Sequence, residues 1–245
     1  MIWNALYIGK RGLDKNYFKQ ISNIVNFANL NLDGIPIIFG ECGIPMDLNK
    51  GCGYINNDWK YHKWSLDSLI KSLESNFVGF TLWNYNPNNF DEEGDVWNGE
   101  NFSLYSNSCL NNDGSQIDGL RIPEVLVRPY ISKLSGELIS INYNYRSKIY
   151  NVSIKISKGI NEIFVPNYIY PTIKIKISGG KYNHDKHNQT LYWDLRDAED
   201  GQIVNCVIGC NTLVENGSDN YNLTLKLLLL SLLIIMISVI FNKYY

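Results

Sequence analysis

The amino-acid sequence predicts an α/β unit followed by an all-β unit and a C-terminal apolar helix. Two short apolar runs, residues 35–43 and 77–83, flank an amphipathic helical pattern, which is the element order of a βαβ unit. After residue 120 the chain changes to short runs of alternating apolar and polar residues separated by turn residues. Such runs are typical of an antiparallel sandwich or barrel. The third observation is a stretch at 227–241 that is apolar apart from two serines.

The α/β unit begins with a helix whose apolar residues recur at helical spacing between Tyr17 and Phe27. Gly34 offers a left-handed stop and Pro36 forbids continuation of the helix. The run IPIIFGECG, residues 35–43, follows. Because it is apolar on consecutive positions, we interpret it as a strand buried on both faces.

A second helix and a second strand complete the α/β unit. A loop with Gly51 and Gly53 leads to the helix, for which Ser65 is a candidate N-cap. The helix carries an apolar stripe of four residues: Leu66, Leu69, Ile70 and Leu73. The run FVGFTLW, residues 77–83, is interpreted as a second strand of the same buried kind.

The all-β unit contains five segments with the alternation of half-buried strands. They are 138–145, 150–157, 162–166, 172–178 and 191–195.

Composition excludes several classes of function. The 245 residues carry 24 acidic and 22 basic side chains, a net charge of −2, so nothing in the charge balance recruits nucleic acid. The five cysteines show no CxxC spacing, and the three histidines form no metal-ligand pattern with them. We therefore expect no metal and no cofactor. An odd cysteine count leaves at least one thiol unpaired within the chain, so a disulfide framework is not expected.

The apolar stretch 227–241 predicts membrane attachment. It is 15 residues long between Lys226 and Lys243, shorter than the roughly 20 residues that span a bilayer core, so tilt or snorkelling of the lysines must help. We expect a single-pass membrane helix here, preceded by a juxtamembrane linker at 214–226, in an undetermined membrane. The alternatives are a buried helix and a lipid-anchor signal starting at 216–218. The polar ending NKYY argues against the signal.

A carboxylate ends the first predicted strand. Glu41 lies at the carboxyl end of that strand, where parallel α/β sheets bind ligands. The second strand ends in LWNYN, which brings Trp83, Asn84 and Tyr85 to the same rim. Glu41 then has two readings: a catalytic carboxylate, or a loop cap that pairs with a lysine.

Four segments together resemble a known family. FGECGIPMD, GFTLWNYNPNN and EEGDVWNGENFSLYS, with the alternating segment from RPYISKLSGE to NEIFVPNYIYP, resemble the last third of glycoside hydrolase family 5 enzymes. The likeness is to the endoglycoceramidase-related, sterylglucosidase-like branch and covers roughly residues 30–213. It implies that residues 1–120 are the end of a (β/α)8 TIM barrel, about strands 7 and 8, and that 121–213 form its appended β-sandwich domain.

The resemblance also implies roles for individual residues. Glu41 matches the nucleophile of a retaining mechanism, and Trp83 matches the platform on which the sugar rests. Further substrate-binding positions implied by the match are Asn84, Asp95, Trp97, Asn98 and Glu100. Each has a plainer alternative, since Trp97 could pack the loop, Asn98 and Gly99 could form an ordinary turn, and Glu100 could be solvated.

The acid/base partner of the nucleophile is missing from the sequence. A complete barrel needs about 200 residues or more, whereas about 120 precede the sandwich, and no Asn-Glu-Pro motif occurs. We therefore expect the C-terminal part of a β-glycosidase for glucosylceramide or sterylglucoside, with Met1 internal to a longer gene. The expected partners are the glycolipid, the membrane and the missing N-terminal half of the barrel. The alternatives are a catalytically silent sugar- or membrane-binding remnant and a structural module at the membrane surface.

Overall fold

A computed structural model describes residues 3–210, with side chains from residue 9 onward. The linker predicted at 214–226 and the membrane helix predicted at 227–241 lie outside the described residues. Among the helices between residues 3 and 210, none combines the length and apolar character that a bilayer span requires.

The first part of the chain is mixed α and β. Its elements are α1 Trp3–Asn31, β1 Ile38–Cys42, α2 Leu48–Asn56, α3 Lys60–Ser75, β2 Gly79–Leu82, a 3₁₀ turn Asn107–Cys109 and α4 Pro123–Leu126. The second part contains β3 Tyr130–Lys133, β4 Gly136–Asn144, β5 Ile149–Ile156, β6 Ile160–Phe164, β7 Lys174–Ile177, β8 Lys181–Asp185, β9 Thr190–Asp194 and β10 Ile203–Gly209.

β1 and β2 pair in parallel, with Phe39 opposite Phe80 and Cys42 opposite Leu82. This pairing confirms the predicted βαβ unit. α1 and α3 cover one face of the pair, where Phe39 and Phe80 pack on a small apolar cluster that includes Leu73.

The expectation that both strands are buried on both faces is wrong. Ile38 is 72% exposed, and both strands consist only of exposed and half-buried residues. The reason is that β1 and β2 form a sheet of two strands within residues 3–210. Its helices cover a single face, so the face that carries Ile38 meets solvent.

The helices differ from expectation at their ends. α3 begins at Lys60, so Ser65 lies inside the helix and is buried, and the N-cap position is occupied by Trp59. The apolar stripe of α3 is buried as predicted. The predicted loop around Gly51 contains α2, which is irregular because Asn49 and its two successors have positive φ.

The second part is a β-sandwich of two antiparallel four-stranded sheets. Their strand orders are β4-β5-β10-β7 and β3-β6-β9-β8. Side chains from both sheets fill one core, among them Tyr150, Ile154, Ile163 and Trp193. The five predicted strands correspond to β4, β5, β6, β7 and β9. Of the two predicted architectures, sandwich and barrel, the structure has the sandwich.

A buried charge cluster joins the two parts where α3 lies against β4. Arg128 Nη2 is 3.0 Å from Glu74 Oε2, and the guanidinium lies 5.0 Å from the ring centre of Tyr143. The 3.0 Å contact lacks hydrogen-bond geometry, so it acts through charge alone. The loss of solvation of the Glu74 carboxylate outweighs its attraction to the Arg128 guanidinium, so burial raises the pKa of Glu74 to about 7.

Candidate active site

Glu41 lies in a β-bulge near the carboxyl end of β1. Gly40 and Glu41 together oppose the single residue Thr81 of β2, because the register shifts by one residue here. A bulge turns the following side chain away from the regular alternation and is frequent beside active sites. The Glu41 side chain is exposed, as a nucleophile that meets a substrate has to be.

The ends of the two strands are held together directly. The backbone N–H of Trp83 donates to the carbonyl of Cys42 at 2.8 Å. A Cβ on Gly43 would lie 2.1 Å from the Trp83 carbonyl oxygen, so only glycine allows this approach. The peptide bond from Trp83 to Asn84 is cis. The structure therefore brings Glu41 and Trp83 to one rim, as the sequence predicts.

Glu100 connects the following loop to this rim. The indole N–H of Trp83 donates to Glu100 Oε2 at 3.2 Å. Glu100 is half-buried, and its backbone carbonyl accepts from the N–H of Asp95 at 2.7 Å. The plainer reading of Glu100 as a merely solvated residue is therefore wrong. Its carboxylate orients the ring of the predicted sugar platform.

Asp95 is buried and bound on both carboxylate oxygens by its own loop. Oδ2 accepts from Asn84 Nδ2 at 3.0 Å and from the N–H of Phe102 at 2.8 Å. Oδ1 accepts from Asn89 Nδ2 at 2.7 Å and from the N–H of Ser103 at 3.2 Å. These contacts organise the loop from within. Direct substrate contact by Asp95 stays a prediction. The NH2 group of Asn84 is already committed to Asp95, whereas its buried Oδ1 accepts no hydrogen bond from the described residues.

A buried arginine completes this network. Arg121 donates to Asn101 Oδ1 at 2.8 Å, to the Ser103 carbonyl at 2.9 Å and to Asn89 Oδ1 at 2.8 Å. It also pairs with Asp91 at 2.5 Å. Arg121 is not among the sequence-predicted site residues, because a single arginine outside any motif carries no spacing signal. The density of asparagine in 84–89 was the available hint that a side-chain network holds this loop.

Trp97 and Asn98 lie on an exposed turn of the loop. Trp97 is 61% exposed, so the reading that it packs the loop is wrong. Asn98 and Gly99 have φ of 51° and 66°, and the N–H of Glu100 donates to the Trp97 carbonyl at 2.9 Å. Asn98 and Gly99 therefore do form a tight turn, and this turn holds the Trp97 indole out at the edge of the site.

Comparisons with known proteins agree with this architecture. Residues 128–208 match the family model described as glycoside hydrolase family 5 C-terminal domain. The chain is 40% identical to a glucosylceramidase of Rhizopus delemar over 216 residues, which cover 80% of this chain and 32% of the relative. It is 24% identical to an ergosteryl-beta-glucosidase of Saccharomyces cerevisiae over 250 residues, covering 77% of this chain and 33% of the relative.

Two solved structures share the fold. The sterylglucosidase 1 of Cryptococcus neoformans superposes with a TM-score of 0.73 at 23% identity, over 83% of this chain and 32% of that one. The endo-glycoceramidase II of a Rhodococcus species superposes with a TM-score of 0.54 at 16% identity, over 77% and 36%. The chain thus spans about a third of the length of the curated relatives it matches.

Proposed function

Because this chain belongs to glycoside hydrolase family 5, we propose that it contributes the nucleophile and sugar platform of a retaining β-glycosidase. The substrates are glucosides of neutral membrane lipids, such as glucosylceramide or sterylglucosides. The observation that carries the proposal is the rim itself. Glu41 lies exposed on a bulge, next to Trp83, and Glu100 fixes the Trp83 ring. The names of the relatives, glucosylceramidase and ergosteryl-beta-glucosidase, support the substrate class.

The chemistry follows from these groups. The Glu41 carboxylate attacks the anomeric carbon while the bond to the lipid oxygen breaks, and that oxygen takes a proton from a second carboxylic acid. Water, deprotonated by the same second group, then cleaves the glycosyl ester and regenerates Glu41. Trp83 offers its ring face to the C–H side of the glucose, and Glu100 accepts from a hydroxyl.

We assign the second carboxylic acid to a separate segment that completes the barrel. Within the described residues, the outer edges of β1 and β2 have no neighbouring strand. On the covered side of the sheet, α1 also leaves the apolar residues Phe27 and Leu30 exposed. A groove of about 760 Å³ runs beside β2 and is lined by Phe80, Leu82 and sandwich residues. Unpaired edges and uncovered apolar surface are the features that additional parallel strands with their helices would satisfy.

The test is complementation. The chain is co-expressed with the first two thirds of the Rhizopus delemar glucosylceramidase as a separate polypeptide, and hydrolysis of a chromogenic β-glucoside is measured. We expect turnover from the pair alone, abolished by Glu41→Gln and retained by Glu93→Gln, which changes an exposed acid of the neighbouring loop. Turnover by the chain alone that Glu41→Gln abolishes would refute the need for a second segment. A stable pair without turnover would refute the enzyme and favour a silent sugar-binding remnant.

We also propose that the apolar stretch 227–241 attaches the chain to a membrane in a single pass, where such lipid substrates reside. The support is its composition and its flanking lysines. Alkaline carbonate extraction of cell membranes tests this. The full chain should stay with the membranes, and replacing three of the leucines in 227–230 by serine should release it. Release of the unaltered chain would contradict the attachment.

A further inference from the structure

Two apolar residues project into solvent at the edge of the candidate site. Val96 is 73% exposed and Trp97 is 61% exposed; we call this pair the rim tip. Single exposed apolar residues are ordinary on protein surfaces. An adjacent valine and tryptophan at the mouth of a binding site are a candidate contact for an apolar ligand.

Within the rim tip, Val96 has a backbone conformation that is unusual for valine. Val96 has φ of 53°, the left-handed region that β-branched residues avoid because Cβ crowds the backbone. Such strain persists only where surrounding structure imposes it, and it is a reason to ask for a function. In Val96 the strain is not offset by burial, since the side chain is exposed.

The loop holds the rim tip firmly on both sides. Directly before it, the buried Asp95 carboxylate accepts four hydrogen bonds. Directly after it, the N–H of Glu100 donates to the Trp97 carbonyl, and the N–H of Asp95 donates to the Glu100 carbonyl. The rim tip is thus presented in one conformation, which lowers the cost of ordering it around a ligand.

Glu100 also sets the position of the rim tip relative to the sugar. It accepts from the indole N–H of Trp83, and only Asn98 and Gly99 lie between this hydrogen-bond partner of the sugar platform and Trp97. A glucose on Trp83 would therefore have the rim tip beside it. Glu92 and Glu93, on the preceding part of the loop, are exposed carboxylates. They oppose an anionic ligand and favour an uncharged one.

We propose that the rim tip binds the apolar aglycone of a neutral lipid glucoside, immediately beyond the sugar position at Trp83. This inference rests on the proposed function, because it takes the Trp83 position as the place of the glucose. It assigns to Val96 and Trp97 the preference for lipid glucosides over short-chain glucosides.

The experiment observes the tryptophan indoles separately. The chain contains six tryptophans, and 15N-tryptophan labelling of the full chain, kept in solution by an amphipathic polymer, gives one indole N–H signal for each. Trp97→Phe and Trp83→Phe assign the two signals of interest. The probes are methyl β-glucoside, octyl β-glucoside and a sugar-free octyl ether of triethylene glycol.

We expect methyl β-glucoside to shift the Trp83 signal, and octyl β-glucoside to shift both signals with about tenfold higher affinity, the gain from burying part of an alkyl chain. A Trp83 signal that responds to octyl β-glucoside while Trp97 does not would overturn the inference and leave the proposed function standing. If neither glucoside moves Trp83, the proposed function fails. The sugar-free octyl probe then decides the inference, which holds if Trp97 shifts and falls if it does not.

Side-chain exchanges provide a second measurement. Val96→Asn suits the left-handed backbone and removes the apolar side chain, so the fold should persist while the octyl-over-methyl affinity ratio falls about threefold. Trp97→Ser should lower that ratio about tenfold. Tyr182→Ser, at a 47% exposed aromatic of β8 in the sandwich, is the matched control and should leave the ratio unchanged. An equal fall in the control would show adventitious binding of the alkyl chain and overturn the inference.

Discussion

Exchange of Asp95 for asparagine separates a loop organiser from a direct substrate ligand. The two residues have the same shape, but the exchange turns one carboxylate oxygen into an NH2 group. If Oδ2 is replaced, Asn84 Nδ2 and the N–H of Phe102 face a donor. If Oδ1 is replaced, the same happens to Asn89 Nδ2 and the N–H of Ser103. Two buried donors lose their acceptor either way.

The size of the effect follows from these contacts. A hydrogen bond to a charged group contributes roughly 1.5 to 3 kcal/mol, so losing two gives about 3 to 6 kcal/mol. The amide side chain of Asn84 or Asn89 can turn and recover part of this. We therefore expect Asp95→Asn to destabilise the closed loop by about 3 kcal/mol, which corresponds to a roughly 100-fold larger population of the open loop.

Amide hydrogen exchange measures this opening locally. The N–H groups of Phe102 and Ser103 should exchange roughly 100-fold faster in Asp95→Asn, while amides of β5 in the sandwich keep their rates. Glu93→Gln, at an exposed acid of the same loop, should change neither. If the Phe102 and Ser103 amides exchange less than fivefold faster while glucoside binding is lost, Asp95 acts on the substrate and the organising role is refuted.

Three further predictions concern stability, measured by urea unfolding of the full chain. Burial raises the pKa of Glu74 to about 7 from 4.5. The free energy of unfolding should therefore be constant with respect to this group below pH 4.5 and fall by roughly 3 kcal/mol as the pH rises through 7. Glu74→Gln should flatten this fall, and an unchanged slope would contradict the assignment. Trp193→Ala, at a fully buried side chain, should cost about 3 to 5 kcal/mol, against a negligible cost for exposed Tyr182→Ala. Gly43→Ala should cost about 2 kcal/mol by separating the strand ends, whereas Gly40→Ala, with no atom near its Cβ, should not.

The sequence was sufficient for those strands that alternate clearly. β5 and β9 bury every second residue, and the same alternation of apolar and polar residues is present in their sequences. β8, with the sequence KYNHD, has no apolar alternation and owes its place to pairing with β9. Apolar alternation could not have revealed it, because it is an exposed edge strand that pairs through its backbone with β9, which follows after residues 186–189.

The burial of β1 could not be read from its composition. An apolar run shows that a strand can be buried, whereas its actual burial depends on which elements pack on each face of the sheet. Ile38 is apolar and exposed because the helices lie on the other side of its sheet. The same limit applies to the site. Glu41 and Trp83 belong to recognisable motifs, but Arg121 acts through partners 18 to 32 residues away and has no motif of its own.

Under the proposed function, the distribution of contacts separates the groups that would bind the substrate from the sheet that carries Glu41. The loop that carries Trp97 and Glu100 is held chiefly by two buried residues of its own segment, Asp95 and Arg121. The sheet that carries Glu41 has open edges in the described region, and its Ile38 is exposed. Under the proposed function, the sugar and aglycone contacts should therefore form before a second segment is added, because their geometry is already fixed. A second segment that supplies the proton donor should then raise turnover far more than it raises glucoside affinity.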